Sequence, residues 1–77
     1  MHITLTAYSV LREKLPPGST GKVHVEFPEG SLLADLLATY DLPLETACSI
    51  NGSIERNLQT MLRDGDNVAV FRPGAGG

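Results

Sequence analysis

The stretch Asp64-Gly65-Asp66-Asn67-Val68-Ala69-Val70-Phe71-Arg72-Pro73-Gly74-Ala75-Gly76-Gly77 sets an acidic turn, a strand and a glycine tail end to end. Val68 to Phe71 is apolar, β-branched and aromatic, the composition that suits a pleated, half-buried surface. Val68 and Val70 alternate with Ala69 and Phe71, so the valines are expected to face a core and Phe71 to face outward. Pro73 has no N–H to give to a ladder, and pairing is expected to stop near Arg72. Beyond it, Gly74, Ala75, Gly76 and Gly77 carry nothing larger than a methyl group. With nothing to bury and high backbone entropy, this tail is expected to be mobile. Five residues from Pro73 reach roughly 17 Å when extended, at about 3.3–3.6 Å each, enough to thread a channel that larger side chains would block. A frayed terminus would have the same composition, so the rest of the chain must decide between the two readings.

Upstream, His2 to Ala7 alternates Ile3, Leu5 and Ala7 against His2, Thr4 and Thr6, as a half-buried strand does, and the same parity puts Tyr8 on the open side. Ser9 to Lys14 reads as one or two helical turns, and Leu15 to Gly21 as a loop rich in Pro, Gly and Ser. Lys22 to Phe27 alternates again, with Val23, Val25 and Phe27 inward, and is expected to pair with the first strand as a hairpin. Pro28-Glu29-Gly30 breaks that strand, Ser31 is expected to cap a helix, and Leu32, Leu33, Leu36, Leu37 and Tyr40 fall on one helical face. Ala47 to Asn51 reads as a strand with Cys48 and Ile50 inward, and Asn51-Gly52 signals a type I′ turn back through Ser53-Ile54-Glu55. Asn57 to Arg63 is expected to form a short helix or 3₁₀ turn, with Leu58, Met61 and Leu62 at one-turn spacing. Two hairpin arms about one helix, with the first and last strands free to pair in parallel at the centre, predict an α+β fold. It is the β-grasp (ubiquitin-like) roll, a mixed sheet with one main helix packed on one face. Residues 1–72 form the domain and 73–77 the tail.

Composition removes several function classes. The 77 residues hold one core, a single cysteine and two separated histidines, which gives neither a disulfide nor a metal-ligand spacing. No bound metal or cofactor is therefore expected. Net charge is −3 and the isoelectric point near 5.1, without the clustered Lys and Arg that nucleic acid demands. No apolar run approaches membrane-spanning length, and the start has no basic segment followed by an apolar one, so a cytoplasmic protein is expected.

No nucleophile, base and acid fall at a recognisable spacing, and a non-enzymatic role is expected. Asp64-Gly65-Asp66 reads as a β-turn with glycine at the positive-φ position, Cys48 as a small core residue, and His2 and His24 as solvated side chains without partners. Arg12 and Glu13 read as a solvated helical face. Tyr8 and Phe71 do not fit such an account. Both have outward parity on strands expected to be neighbours, and an exposed aromatic pair at the root of a threadable tail points to a docking surface.

Taken together, Leu11-Arg12-Glu13, Phe27-Pro28-Glu29-Gly30-Ser31, Ile50-Asn51-Gly52, Leu62-Arg63-Asp64-Gly65-Asp66-Asn67-Val68-Ala69 and the final Gly76-Gly77 resemble the MoaD/ThiS family of ubiquitin-like sulfur carriers. Within it, Leu11-Arg12-Glu13 looks more like MoaD, the small subunit of molybdopterin synthase. The resemblance covers essentially the whole chain and implies a carboxylate at Gly77 that is adenylated and then converted to a thiocarboxylate. Gly76, Ala75 and Gly74 would allow passage into a partner, and Tyr8, Phe71 and Arg72 would bind it. The implied partners are a ubiquitin-activating-type adenylating enzyme (MoeB/ThiF-like), which consumes ATP, and the molybdopterin synthase large subunit (MoaE-like). In the tail, Arg72 stands where MoaD proteins usually have a proline, and Gly74 where they have a β-branched residue. Sulfur delivery to tungsten cofactor, thiamine or another metabolite, and ubiquitin-like conjugation to lysines, are the alternatives.

Overall fold

The alternation of His2 to Ala7 becomes strand β1 (His2–Ala7), in which Ile3, Leu5 and Ala7 are buried while the residues between them are not. The computed structural model describes residues 1–72, and the expectations for Pro73 to Gly77 lie outside them. β2 (Lys22–Glu26) pairs antiparallel with β1, the Ile3–Val25 and Leu5–Val23 registers placing apolar residues on the same side. β5 (Asn67–Phe71) lies parallel to β1 on its other side, and β3 (Ala47–Ile50) and β4 (Ser53–Glu55) complete the order β2-β1-β5-β3-β4. The parallel central pair and antiparallel arms are those of a β-grasp roll.

Register assembles the core in rows. Leu5, Val68 and Ile50 stand side by side across β1, β5 and β3, and Ala7, Val70 and Cys48 form the next row. Helix α1 (Leu33–Thr39) covers that face with Leu33, Leu36 and Leu37, all fully buried. Leu11, Leu15, Leu42 and Leu62 close the margins of the same cluster. The two edges are poor templates for further pairing, since β4 has three residues and β2 shows charged or polar side chains at alternate positions.

Three local expectations are corrected. The cap of α1 is Leu32 and not Ser31: the Asp35 carboxylate accepts from the Leu32 N–H at 2.8 Å, whereas the Ser31 hydroxyl turns back to donate to the Pro28 carbonyl. Asn57 to Arg63 forms no helix. The Asn57 side chain accepts from the Gln59 N–H at 3.0 Å, a local bond that competes with helical pairing, and Met61 bridges to Leu32 in extended form. Met61 is consequently exposed, while Leu62 is buried. This segment also supplies acceptors that α1 needs at its start, the Thr60 and Leu58 carbonyls taking the N–H groups of Leu33 and Ala34 at 2.9 Å each. Finally, the histidines have partners: His2 Nδ1 lies 3.3 Å from Glu26 across the hairpin, and His24 Nδ1 lies 3.2 Å from the Thr4 hydroxyl.

The β3–β4 hairpin turn and the turn that precedes β5 are tied to each other and to the start of β5. Asn51 (φ 51°) and Gly52 (φ 87°) make the type I′ turn expected of Asn-Gly. The Asn51 side chain then accepts from the Asn67 N–H and donates to Asp66, both at 2.9 Å. Asp66 also accepts from the Arg63 N–H at 2.8 Å, and Gly65 takes the positive φ of the turn. Asp64 accepts from the His2 N–H at 2.6 Å. The acidic turn is thus structural, and it sets the register with which β5 enters the sheet.

Candidate functional site

β5 runs along the middle of the sheet and carries the chain to Arg72 at one end. Ala7 and Val70 are register partners, and the Tyr8 N–H donates to the Val70 carbonyl at 3.1 Å, so Tyr8 stands beside Phe71. Tyr8 keeps extended geometry (φ −111°, ψ 156°) after the buried Ala7, which turns its ring to the open face. Phe71, next after the buried Val70, is half-buried on that same face with Ala47 across from it. Arg72 is exposed and shares a shallow depression with Val10, Pro43, Glu45 and Thr46. The structure therefore brings Tyr8 and Phe71 together on the open face, with Arg72 next along the chain but lining a separate depression.

Three residues of this region were not singled out by sequence reasoning. Leu44, Ile54 and Val10 are 69%, 58% and 50% exposed, unusual values for large aliphatic side chains within one small area. Leu44 and Ile54, with Phe71 and Ala47, line a depression of about 450 Å³ between the end of β5 and the β3–β4 arm. Ile54 was legible in principle, because its partner Ser49 lies on the open face and opposite residues point the same way. Leu44 lies in an irregular turn where no periodicity applies.

Cys48 also borders this depression but belongs to the core, at 1% exposure. Burial pushes its thiol from an ordinary 9.0 up to about 11. The sign follows: unfolding releases the easier ionisation, so the stability linked to this group is complete below about pH 9 and is lost as pH rises toward 11. A thiol reagent at pH 8 is expected to label the native protein at least ~100-fold more slowly than the protein in denaturant, since only the exposed thiolate reacts. Equal labelling rates would place the thiol at the surface. Among the described residues no three His, Cys, Asp or Glu side chains gather as metal ligands, and no helix is long and apolar enough to cross a membrane.

The β-grasp fold of this chain extends to known proteins. The model of the ThiS family matches residues 9–77, nearly the whole chain. The chain belongs to the ThiS family. The family comprises ubiquitin-fold sulfur carriers, and the match takes in the final Gly76-Gly77. No match is found among curated protein sequences. Solved structures show the same fold at low identity. Small archaeal modifier protein 1 of Haloferax volcanii superposes with a TM-score of 0.75 at 18% identity, over 94% of this chain and 97% of that one. A putative molybdopterin converting factor subunit 1 of Pyrococcus furiosus gives 0.75 at 20%, over 95% and 98%. The complex of subunits 1 and 2 of the molybdopterin-converting factor of Helicobacter pylori contains a chain matching at 0.68 and 20%, over the full length of both. In this ThiS-family chain the residues that the fold presents around the exit of β5 are Tyr8, Val10, Leu44, Ile54, Phe71 and Arg72.

Proposed function

We propose that the chain is a sulfur carrier that works through the carboxylate of Gly77, as the small subunit of a molybdopterin synthase. The observation that carries this reading is the family match running through Gly77 on a fold whose central strand leads to that residue past an apolar patch. A carboxylate is a poor acyl donor. Activation begins when a Gly77 carboxylate oxygen attacks the α-phosphorus of ATP; the bond to the β-phosphate breaks, and pyrophosphate leaves. Hydrosulfide then attacks the acyl carbon, AMP leaves with the bonding pair, and the thioacid so formed gives up its proton to water to leave a thiocarboxylate. The carrier next delivers that sulfur to its acceptor, which makes the encounter effectively intramolecular.

ATP is handled by an adenylating enzyme of the MoeB/ThiF kind and not by this chain. The acceptor is held by a catalytic large subunit of the MoaE kind, in keeping with the pairing of subunits 1 and 2 in the Helicobacter pylori complex. Gly74, Ala75 and Gly76 let the tail pass, and Tyr8, Phe71 and Arg72 meet the partner at its root. A second reading is favoured by the likeness to a small archaeal modifier protein: the same activated Gly77 acylates lysine amines.

Intact-mass spectrometry of the protein from its native cells separates the two. Exchange of one oxygen for sulfur, localised to Gly77, is the expected result, together with a copurified large subunit. Isopeptide conjugates without thiocarboxylate would replace the carrier reading by the modifier.

A further inference from the structure

We propose that Asn51 is a modification site that the fold holds in check. Its side-chain amide is lost to intramolecular attack by the Gly52 nitrogen when the turn opens, and the carboxylate left behind breaks the tie between the β3–β4 turn and β5. The reaction is separate from any chemistry at Gly77.

Asn51-Gly52 is the pair that this reaction needs, because glycine has no side chain to shield its backbone nitrogen. That nitrogen attacks Cγ of Asn51, the Cγ–Nδ2 bond breaks, and ammonia leaves with the proton that Gly52 gives up, closing a succinimide ring. Water then opens the ring, its hydroxyl going to carbon and its proton to the ring nitrogen. Cleavage at Cγ gives aspartate. Cleavage at the Asn51 carbonyl carbon gives isoaspartate, in which the main chain runs through Cγ.

Asn51 is exposed, so water reaches it and its protection is conformational. Three hydrogen bonds supply that protection. The Asn51 N–H donates to the Asn67 carbonyl at 2.8 Å, the Asn67 N–H donates to Oδ1 at 2.9 Å, and Nδ2 donates to Asp66 at 2.9 Å. The carboxamide is thereby committed to the start of β5, and attack by Gly52 requires the side-chain bonds to be given up first.

The product cannot rebuild the tie. Asp66 is buried, with one oxygen accepting from the Arg63 N–H and the other from Nδ2. Exchange of the Nδ2 donor for a carboxylate oxygen removes one of these bonds and sets two like charges at hydrogen-bond distance. Isoaspartate also adds a main-chain carbon to a two-residue turn whose register is fixed by the pairing of Ile50 with Ser53 and Val68. The Asp66 carbonyl accepts from the Thr4 N–H at 3.0 Å, so the disturbance reaches the central β1–β5 pair.

The test is ageing of the full chain in mildly alkaline buffer, with peptide mapping of the conversion of Asn51 to aspartate and isoaspartate. Conversion in the native state is expected to be at least ~10-fold slower than in urea, the factor that corresponds to about 1.4 kcal/mol of opening free energy. Asp66→Ala, which releases Nδ2, is expected to speed conversion of the folded chain at least ~3-fold, within the range of one hydrogen bond to a charged group. Asp64→Ala removes a carboxylate from the same turn that has no bond to Asn51, and is expected to leave the rate unchanged. Melting curves verify folding, and the urea comparison stands on the unaltered chain if Asp66→Ala does not fold. Asn51→Asp carries the charge of the product and is expected to lower the folded-to-unfolded ratio ~10-fold at neutral pH, a loss that shrinks as salt is raised. Native and urea rates within ~2-fold of each other would overturn the protection, since an opening step exceeds that change. An Asn51→Asp chain as stable as the original would overturn the consequence drawn for β5.

Discussion

Deletion of Gly77 is expected to abolish adenylation and sulfur transfer while the melting temperature stays where it is. The reacting atom is the carboxyl carbon of the last residue, and removing that residue withdraws the carbon by about 3.3–3.6 Å along an extended tail. Displacements of about 1 Å from a near-attack geometry already reduce rates by about 100-fold, so a whole residue leaves no productive encounter. The new terminus at Gly76 is chemically the same group, which makes the experiment a test of position and not of acidity. Stability is expected to hold because glycine has no side chain to bury, and the core of the described residues runs from Ile3 to Val70. Pyrophosphate exchange and single-turnover sulfur transfer measure the first half, and calorimetry the second. Retained adenylation and transfer by the shortened chain would remove Gly77 from the chemistry and overturn both the carrier and the modifier reading as stated.

Leu36→Ala is expected to destabilise the domain by about 2–5 kcal/mol, the range for truncating a buried leucine where the surroundings relax only in part. Leu36 is fully buried on the one α-helix of the described residues, between Leu33 and Leu37 in the cluster that faces β1, β5 and β3. A domain of this length has roughly 4–12 kcal/mol of total stability, at about 0.05–0.15 kcal/mol per residue, so the loss approaches the whole. α1 has seven residues, too short to persist without its packed face. Urea denaturation gives the value, with Leu44→Ala as the comparison. Leu44 is 69% exposed, and its truncation is expected to change stability by less than ~0.5 kcal/mol, as surface substitutions do. A change that small at Leu36 would contradict its place in the core.

The residues of the proposed site divide according to how they could be read. Tyr8 and Phe71 were legible because strand parity is strict: each follows a buried strand residue, and the next side chain must turn to the other face. Leu44 and Ile54 were not marked, since an apolar residue beside Pro43 or after a hairpin turn looks like ordinary core in sequence. The same ambiguity misplaced Met61. Its spacing from Leu58 and Leu62 fits a helix, but Asn57 spends its side chain on the Gln59 N–H and the segment is drawn into extended pairing with Leu32.

By itself the sequence determined the strands, the helix, the type I′ turn at Asn51-Gly52 and the parity of each strand, because these depend on local periodicity and on backbone preferences of single residues. It also determined the family, through the order of short motifs and the closing glycines. Only the tertiary structure decided which apolar side chains meet water. Whether Leu44, Ile54 and Met61 are covered depends on what the rest of the chain places over them, and that follows from the docking of whole elements and not from any local pattern. The depression beside Phe71 exists because a fixed turn after α1 and the β3–β4 arm come together at the end of β5, segments that sequence distance leaves unconnected.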